Sequence, residues 1–264
     1  MKYSVVIPLA GDPGRLSGLL WSLEEKCRRR HIEVVVVADE AYCQNDIDRL
    51  ELLRKQRRVD IFVDHGSSRG FAAAVNTGMR NCSADIVAVF HADVLLGPNT
   101  LGRLASRLKP SGPADIVSAV SCCAPHSAYV LSQWMGCRLR DVARAPKPDS
   151  RECAKSRLVE MYGDFDFFCK LARLTQPDLV YATDGYLFAA MFPRELWRAT
   201  GEMDESVAGG VAADRLWVDK LRDAGRHMYI DRSTYCHHDG GSRTESARYE
   251  AAMRTMLRDA GRLL

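Results

Sequence analysis

Three apolar runs rich in β-branched residues, at 3–9 (YSVVIPL), 31–38 (HIEVVVVA) and 84–90 (ADIVAVF), alternate with stretches of helical periodicity. Runs so continuously apolar need helices over both faces, which is the condition of a parallel strand inside a doubly wound sheet. Between the first two, Asp12 and Pro13 supply a helix cap and first-turn residue, and Leu16, Leu19, Leu20, Leu23 and Cys27 then share one helical face. Further along, 59–63 predicts a strand, 70–80 an alanine-rich helix, 98–108 a helix and 115–120 another strand. This order predicts an α/β fold with a mostly parallel central sheet and right-handed crossovers. Ligands of such sheets lie beyond the carboxyl ends of the strands, so residues 9–14, 39–40 and 91–93 are expected to line one crevice.

Periodicity weakens from 121 to about 183, where residues 138–157 carry Arg138, Arg140, Arg144, Lys147, Arg151, Lys155 and Arg157. This reads as an inserted, variable segment. An apolar run at 186–192, a short helix from Arg194, a helix over 212–224 stopped by Gly225, a strand at 227–230 and an amphipathic helix over 246–264 complete the pattern. One domain is the expectation for 264 residues with 47% hydrophobic content. A net charge of +3 is too small to demand a nucleic-acid or membrane partner. Nine scattered cysteines without a Cys-x-x-Cys pair predict free thiols, and Cys236-His237-His238 lacks the second pair that a structural zinc needs. No apolar run approaches the roughly 20 residues that span a bilayer, and the amino terminus reads as a strand rather than a leader. A cytoplasmic protein is expected, with peripheral placement at the inner membrane face as the variant.

Asp93 follows a buried strand directly, where a carboxylate can hold a hard divalent cation against a diphosphate. Alone, an aspartate there more often serves a turn or a helix cap. Other residues stand around it in a fixed order: Ser4 to Leu9, Val34 to Glu40, Gly70-Phe71-(x)4-Asn76-x-Gly78, Phe90-His91-Ala92-Asp93, Gly201-Glu202-Met203-Asp204-Glu205, Asp214, and His237-His238 before Gly240-Gly241-Ser242. In that series the chain resembles family 2 glycosyltransferases of the GT-A fold, over nearly its whole length apart from the basic insertion and the last helix.

The resemblance implies a GT-A sheet with a small antiparallel acceptor-side sheet, divided into a nucleotide-binding half at 1–120, an acceptor and catalytic half at 121–242 and a terminal helix at 243–264. It implies inverting transfer from a nucleoside-diphosphate sugar, UDP- or dTDP-linked, to an acceptor hydroxyl with Mn²⁺ or Mg²⁺. Pro8, Leu9, Ala10 and Asp39 would hold the nucleoside, and Gly70 and Asn76 fall on the donor side. His91-Ala92-Asp93 takes the place of an Asp-x-Asp. Imidazole suits Mn²⁺ better than Mg²⁺, so His91 is the weaker metal or ribose contact and Asp93 the stronger. Asp214 fits the general base, although Ala213 replaces the acid often found before it, and a first-turn helix acid is the alternative. His237 and His238 match a late metal-binding histidine, and adjacent strand residues point to opposite faces, so at most one faces the site. Asp184, Gly185 and Tyr186 would floor the sugar site. Asp204 and Glu205 would orient the acceptor or cap a helix, and Trp217 would stack on an acceptor ring or fill the core.

The basic run suits an anionic acceptor, such as a lipid-linked glycan, a teichoic-type polymer or hydroxymethylated DNA, or simply a solvated face. Arg248, Arg254, Arg258 and Arg262 oppose Tyr249, Met253, Met256, Leu257 and Ala260 on the last helix, which predicts docking on the body or a homodimer. The rival readings are a nucleotidyltransferase, for which residues 9–15 are a thin glycine-rich loop, and a degenerate transferase that binds without turnover.

Overall fold

The computed structural model describes residues 2–27, 29–110, 112–121, 149–176, 178–182, 185–207 and 209–239. Asp184, the basic positions 138–147 and the expected helix at 246–264 lie outside them.

Strands β1 (Tyr3–Leu9), β2 (Ile32–Ala38), β3 (Ile61–Asp64) and β4 (Ile86–Phe90) stand parallel in the order β3-β2-β1-β4. Helices α1 (Leu16–Lys26), α2 (Gln44–Lys55) and α3 (Phe71–Asn81) connect them. Val5, Ile7 and Leu9 pack into one apolar layer and Val6 into the other, as do Val34, Val36 and Ala38 against Val35 and Val37. Both faces of these strands are therefore covered, and their near-continuous apolar sequence follows. Asp12 caps the short turn before α1 through Gly14 N–H at 2.8 Å. Gly78 is required by close packing, because a Cβ there would sit 2.2 Å from Val6.

Beyond β4 the sheet becomes mixed. A three-residue strand β5 (Val94–Leu96), α4 (Thr100–Arg107) and β6 (Ile116–Ser121) come next. Helices α5 (Arg151–Tyr162) and α6 (Phe165–Thr175) follow, then β7 (Leu179–Tyr181), β8 (Ala189–Pro193), α7 (Arg194–Thr200), α8 (Gly210–Asp223) and β9 (Met228–His238). β8 runs antiparallel to β4, β6 parallel to β9, and β5 and β7 antiparallel to β9. The expected antiparallel part is thus the far half of one continuous sheet, β3-β2-β1-β4-β8-β6-β9-β5.

β9 runs eleven residues where the sequence predicts four. Its polar centre disguised it. Asp231 is buried, and it accepts Ser233 N–H at 3.1 Å, Ser233 Oγ at 2.6 Å and Thr234 Oγ1 at 2.7 Å, while the register against β6 shifts between Ala119 and Val120. The bulge hides the period-two pattern by which strands are recognised. The six described cysteines are free thiols, and no described helix is long and apolar enough to cross a membrane.

Candidate active site

The carboxyl ends of β1, β2 and β4 meet as the topology requires. Leu9 C=O accepts Asp39 N–H at 2.8 Å and Tyr42 O–H at 3.2 Å, and Glu40 accepts Gly11 N–H. Leu9 itself is buried, so its part is to join the two strand ends, with half-buried Pro8 and exposed Ala10 on either side. Asp39 accepts Arg69 N–H at 2.9 Å, Gly70 N–H at 2.8 Å, His65 Nδ1–H at 2.8 Å and Ser68 Oγ at 3.5 Å. The carboxylate therefore holds the loop entering α3 in place. Gly70 has φ +96°, which favours glycine, and its N–H turns back to Asp39. His65 and Arg69 carried no sequence signal for this role.

At the lip of β4, the tight turn 91–94 closes through Val94 N–H to His91 C=O at 3.2 Å. Among the described residues His91, Asp93 and His238 come together, each offering a ligand atom, all within 4.8 Å of one another. His238 Nε2 lies 3.2 Å from Asp93 Oδ1. The pairing of β5 with β9 sets this register, placing Val94 opposite His238. Phe188 stacks on His238 with ring centres 4.9 Å apart, and Phe71 meets the His91 ring edge-on at 5.3 Å. Two imidazoles and one carboxylate form a donor set that suits a borderline transition ion better than Mg²⁺.

His237 points the other way. Its ring is fully buried, with Nδ1 3.0 Å from Tyr162 Oη and Nε2 3.1 Å from Asp239 Oδ1. Both ring nitrogens have protein partners, and of the two late histidines only His238 joins the cluster. The alternation of strand side chains separates them.

Asp214 lies in the first turns of α8. Its Oδ2 accepts Leu187 N–H at 3.0 Å, and its buried Oδ1 has no hydrogen-bond partner among the described residues. Burial raises its pKa to about 8, with the Leu187 N–H acting weakly in the opposite direction. The neighbouring Phe188 C=O accepts His91 N–H at 2.9 Å, so two consecutive residues connect Asp214 to the metal-type cluster. Gly210, at the start of α8, packs against Phe71, which in turn touches His91. Leu187 and Phe188 sit in an apolar run whose sequence gave no hint of this bridging position.

Other expected contacts lie beneath the site. Asn76 is 0% exposed; its amide donates to Met203 C=O at 2.9 Å and Glu205 Oε1 at 3.0 Å, and its carbonyl accepts Met203 N–H at 3.0 Å. It pins the 201–205 loop to α3 and has no amide group left over for a donor. Trp217 is buried against Phe192 and donates to Gly201 C=O at 3.1 Å, which makes it a core aromatic and not a stacking platform. Gly185 is forced by close packing, since a Cβ would lie 2.3 Å from Val218, and Tyr186 beside it is buried. Asp204 is exposed and caps Ser206, whose hydroxyl and N–H hold its pKa down, while Glu205 pairs with Arg69 at 3.5 Å. Of the basic run, Arg151 pairs with Glu25, Lys155 lies 5.3 Å from the Trp21 ring centre, and Arg157 lies 3.8 Å from Asp239. Each of the three has a partner within the chain, but only Arg157 is buried; the Arg151 pair with Glu25 lies at the surface.

The model of the family described as Glycosyl transferase family 2 matches residues 4–152, more than half of the chain. That span contains Asp39, His91 and Asp93; Asp214 and His238 lie beyond it. Among solved structures, the chain is similar to the mannosyltransferase PcManGT from Pyrobaculum calidifontis in complex with GDP-Man and Mn²⁺, at 20% identity over 92% of this chain and 58% of that one, with TM-score 0.60. It is also similar to S. aureus TarS, at 14% identity over 90% of this chain and 36% of that one, with TM-score 0.56. For TarS 1-349 in complex with UDP the figures are 14%, 90% and 60%, with TM-score 0.54. The chain spans about three fifths or less of each of these structures, and the likeness establishes the GT-A fold. Nothing among curated proteins matches it.

Proposed function

The chain belongs to glycosyl transferase family 2, and from that membership we propose that it transfers a sugar from a nucleoside-diphosphate donor to an acceptor hydroxyl with inversion. The observation that carries the reading is the convergence of His91, Asp93 and His238 at the lip of β4, with Asp214 connected to them through Leu187 and Phe188. Membership sets aside the nucleotidyltransferase alternative. The GDP-Man and UDP bound by the two neighbours support a nucleotide-linked donor, and UDP or dTDP is the nucleotide we favour.

His91, Asp93 and His238 would hold the divalent ion, Mn²⁺ in preference to Mg²⁺. When bound there, such an ion neutralises charge developing on the departing diphosphate. Asp214 is the base of this reading, taking the acceptor hydroxyl's proton on the Oδ1 that has no hydrogen-bond partner among the described residues. With a pKa near 8, its carboxylate is basic enough for that transfer, and it works best at mildly alkaline pH. Phe71 and Phe188 flank the imidazoles and fix their orientation. The acceptor we favour is a glycan hydroxyl rather than an anionic polymer, because Arg151, Lys155 and Arg157 each already have a partner within the chain.

A thermal-shift screen of UDP, GDP, CDP and dTDP sugars with and without Mn²⁺ tests this reading, since a selective ligand stabilises by mass action. The expected result is stabilisation by a UDP or dTDP sugar only with metal, abolished by Asp93→Ala. A donor response that survives Asp93→Ala unchanged would remove the metal-assisted reading.

A further inference from the structure

Behind the cluster, on the other face of β9, lies a chain of buried polar groups that the proposed transfer does not use. Tyr235 Oη is 2.8 Å from Tyr162 Oη, which is 3.0 Å from His237 Nδ1, and His237 Nε2 is 3.1 Å from Asp239 Oδ1. Arg157 Nε lies 3.8 Å from the same Asp239 oxygen. One arrangement of protons satisfies every link: Tyr235 donates to Tyr162, Tyr162 donates to Nδ1 of a neutral His237, and its Nε2–H donates to Asp239. All of these groups except Tyr162 are buried, so each broken link leaves a polar atom away from water.

The chain reaches the cluster in two ways. Asp239 N–H donates to Asp93 C=O at 3.2 Å, and His238 stands between His237 and Asp239 in sequence, its Nε2 3.2 Å from Asp93 Oδ1. Fixing both neighbours of His238 fixes the backbone from which its ring projects toward Asp93. Tyr162 and Arg157 both belong to α5.

We propose that Tyr162, Arg157, His237 and Asp239 are positioning residues that set the metal affinity of the His91, Asp93 and His238 cluster from the far face of β9, so that α5 governs the site. This rests on the metal reading given above. Outer partners of metal-binding histidines commonly change affinity by about 10–100-fold when removed, and here the outer partners act on the strand that carries the ligand.

The test is a Mn²⁺ titration of the full chain followed by electron paramagnetic resonance of the free ion, with folding checked by circular dichroism. Asp239→Ala is expected to weaken Mn²⁺ binding about 10–100-fold, with partial recovery in Asp239→Asn, which keeps an acceptor for His237. Tyr162→Phe, which deletes one oxygen and leaves the packing, is expected to weaken it about tenfold and decides the matter where Asp239→Ala does not fold. Tyr162→Phe and a folded Asp239→Ala that both bind Mn²⁺ within twofold of the parent would overturn the inference while leaving the metal site standing. A parent chain that binds no Mn²⁺ would overturn the metal reading and the inference together.

Discussion

The floor of the crevice between β2 and α3 and the first turns of α8 each bury one aspartate, to 4% exposure for Asp39 and 3% for Asp214. Their surroundings differ. Asp39 collects two backbone N–H groups, an imidazole and a hydroxyl, whereas Asp214 has the single Leu187 N–H and one oxygen without a partner among the described residues. Burial is the same, so the supply of donors separates the two. Where donors are abundant the carboxylate fastens a loop; where they are scarce it stays proton-hungry, with a pKa of about 8.

The largest effect expected from this contrast is on turnover. Asp214→Asn should lower the rate of transfer about 10²–10⁴-fold, the usual worth of a positioned general base, with donor affinity unchanged in the thermal-shift assay. In the parent, the rate should climb with pH through about 8, where half of the carboxyl has lost its proton, and level off above it. An Asp214→Asn enzyme that keeps a third of the parent's rate would break the comparison, because the bare carboxylate would then have no chemical task.

Asp39→Asn should do the reverse, harming stability before chemistry. The replacement amide turns an NH₂ group toward donors that need an acceptor, stranding the part-buried N–H of Arg69 or of Gly70. The expected loss is about 2 kcal/mol, read from the shift of the urea midpoint at constant m. A loss under about 1 kcal/mol would mean that solvent or another group satisfies the loop, and that Asp39 is available to a ligand after all.

The same contrast marks how far the amino-acid sequence could be read. β1, β2 and β4 were legible because strands covered on both faces carry their apolar signature without gaps, and the position of Asp93 after such a strand placed it at the sheet edge. Gly70 and Gly78 were legible as members of a motif, but their reasons, a positive φ and contact with Val6, needed the packed structure. Partnership across long sequence separations was not legible. Asn76 meets Met203, 127 positions away, and Asp39 meets its donors through a loop whose only sequence mark is Gly70. β5 is too short to show a period, and the bulge at Asp231 conceals most of β9. His237 and His238 could be told apart only as a pair on opposite faces; Tyr162 and Asp239 determine which is which.

The smallest effect is the most discriminating, because it reads Asp214 without any substrate. Its carboxyl has an ordinary value of 3.8 and about 8 in the folded chain, so the folded state keeps its proton when the unfolded chain has lost it. The stabilising contribution of the neutral carboxyl is complete below about 4 and is lost as pH rises through 8. Across that window each pH unit costs up to about 1.4 kcal/mol through this group alone. Asp214→Asn, which cannot ionise, should therefore gain stability relative to the parent by about 1 kcal/mol per pH unit between pH 6 and pH 8, measured by urea unfolding at matched ionic strength. Parallel stability curves for the parent and Asp214→Asn over that range would mean that Asp214 ionises normally, through water or a group reaching its Oδ1, and that scarcity of donors does not make it a base.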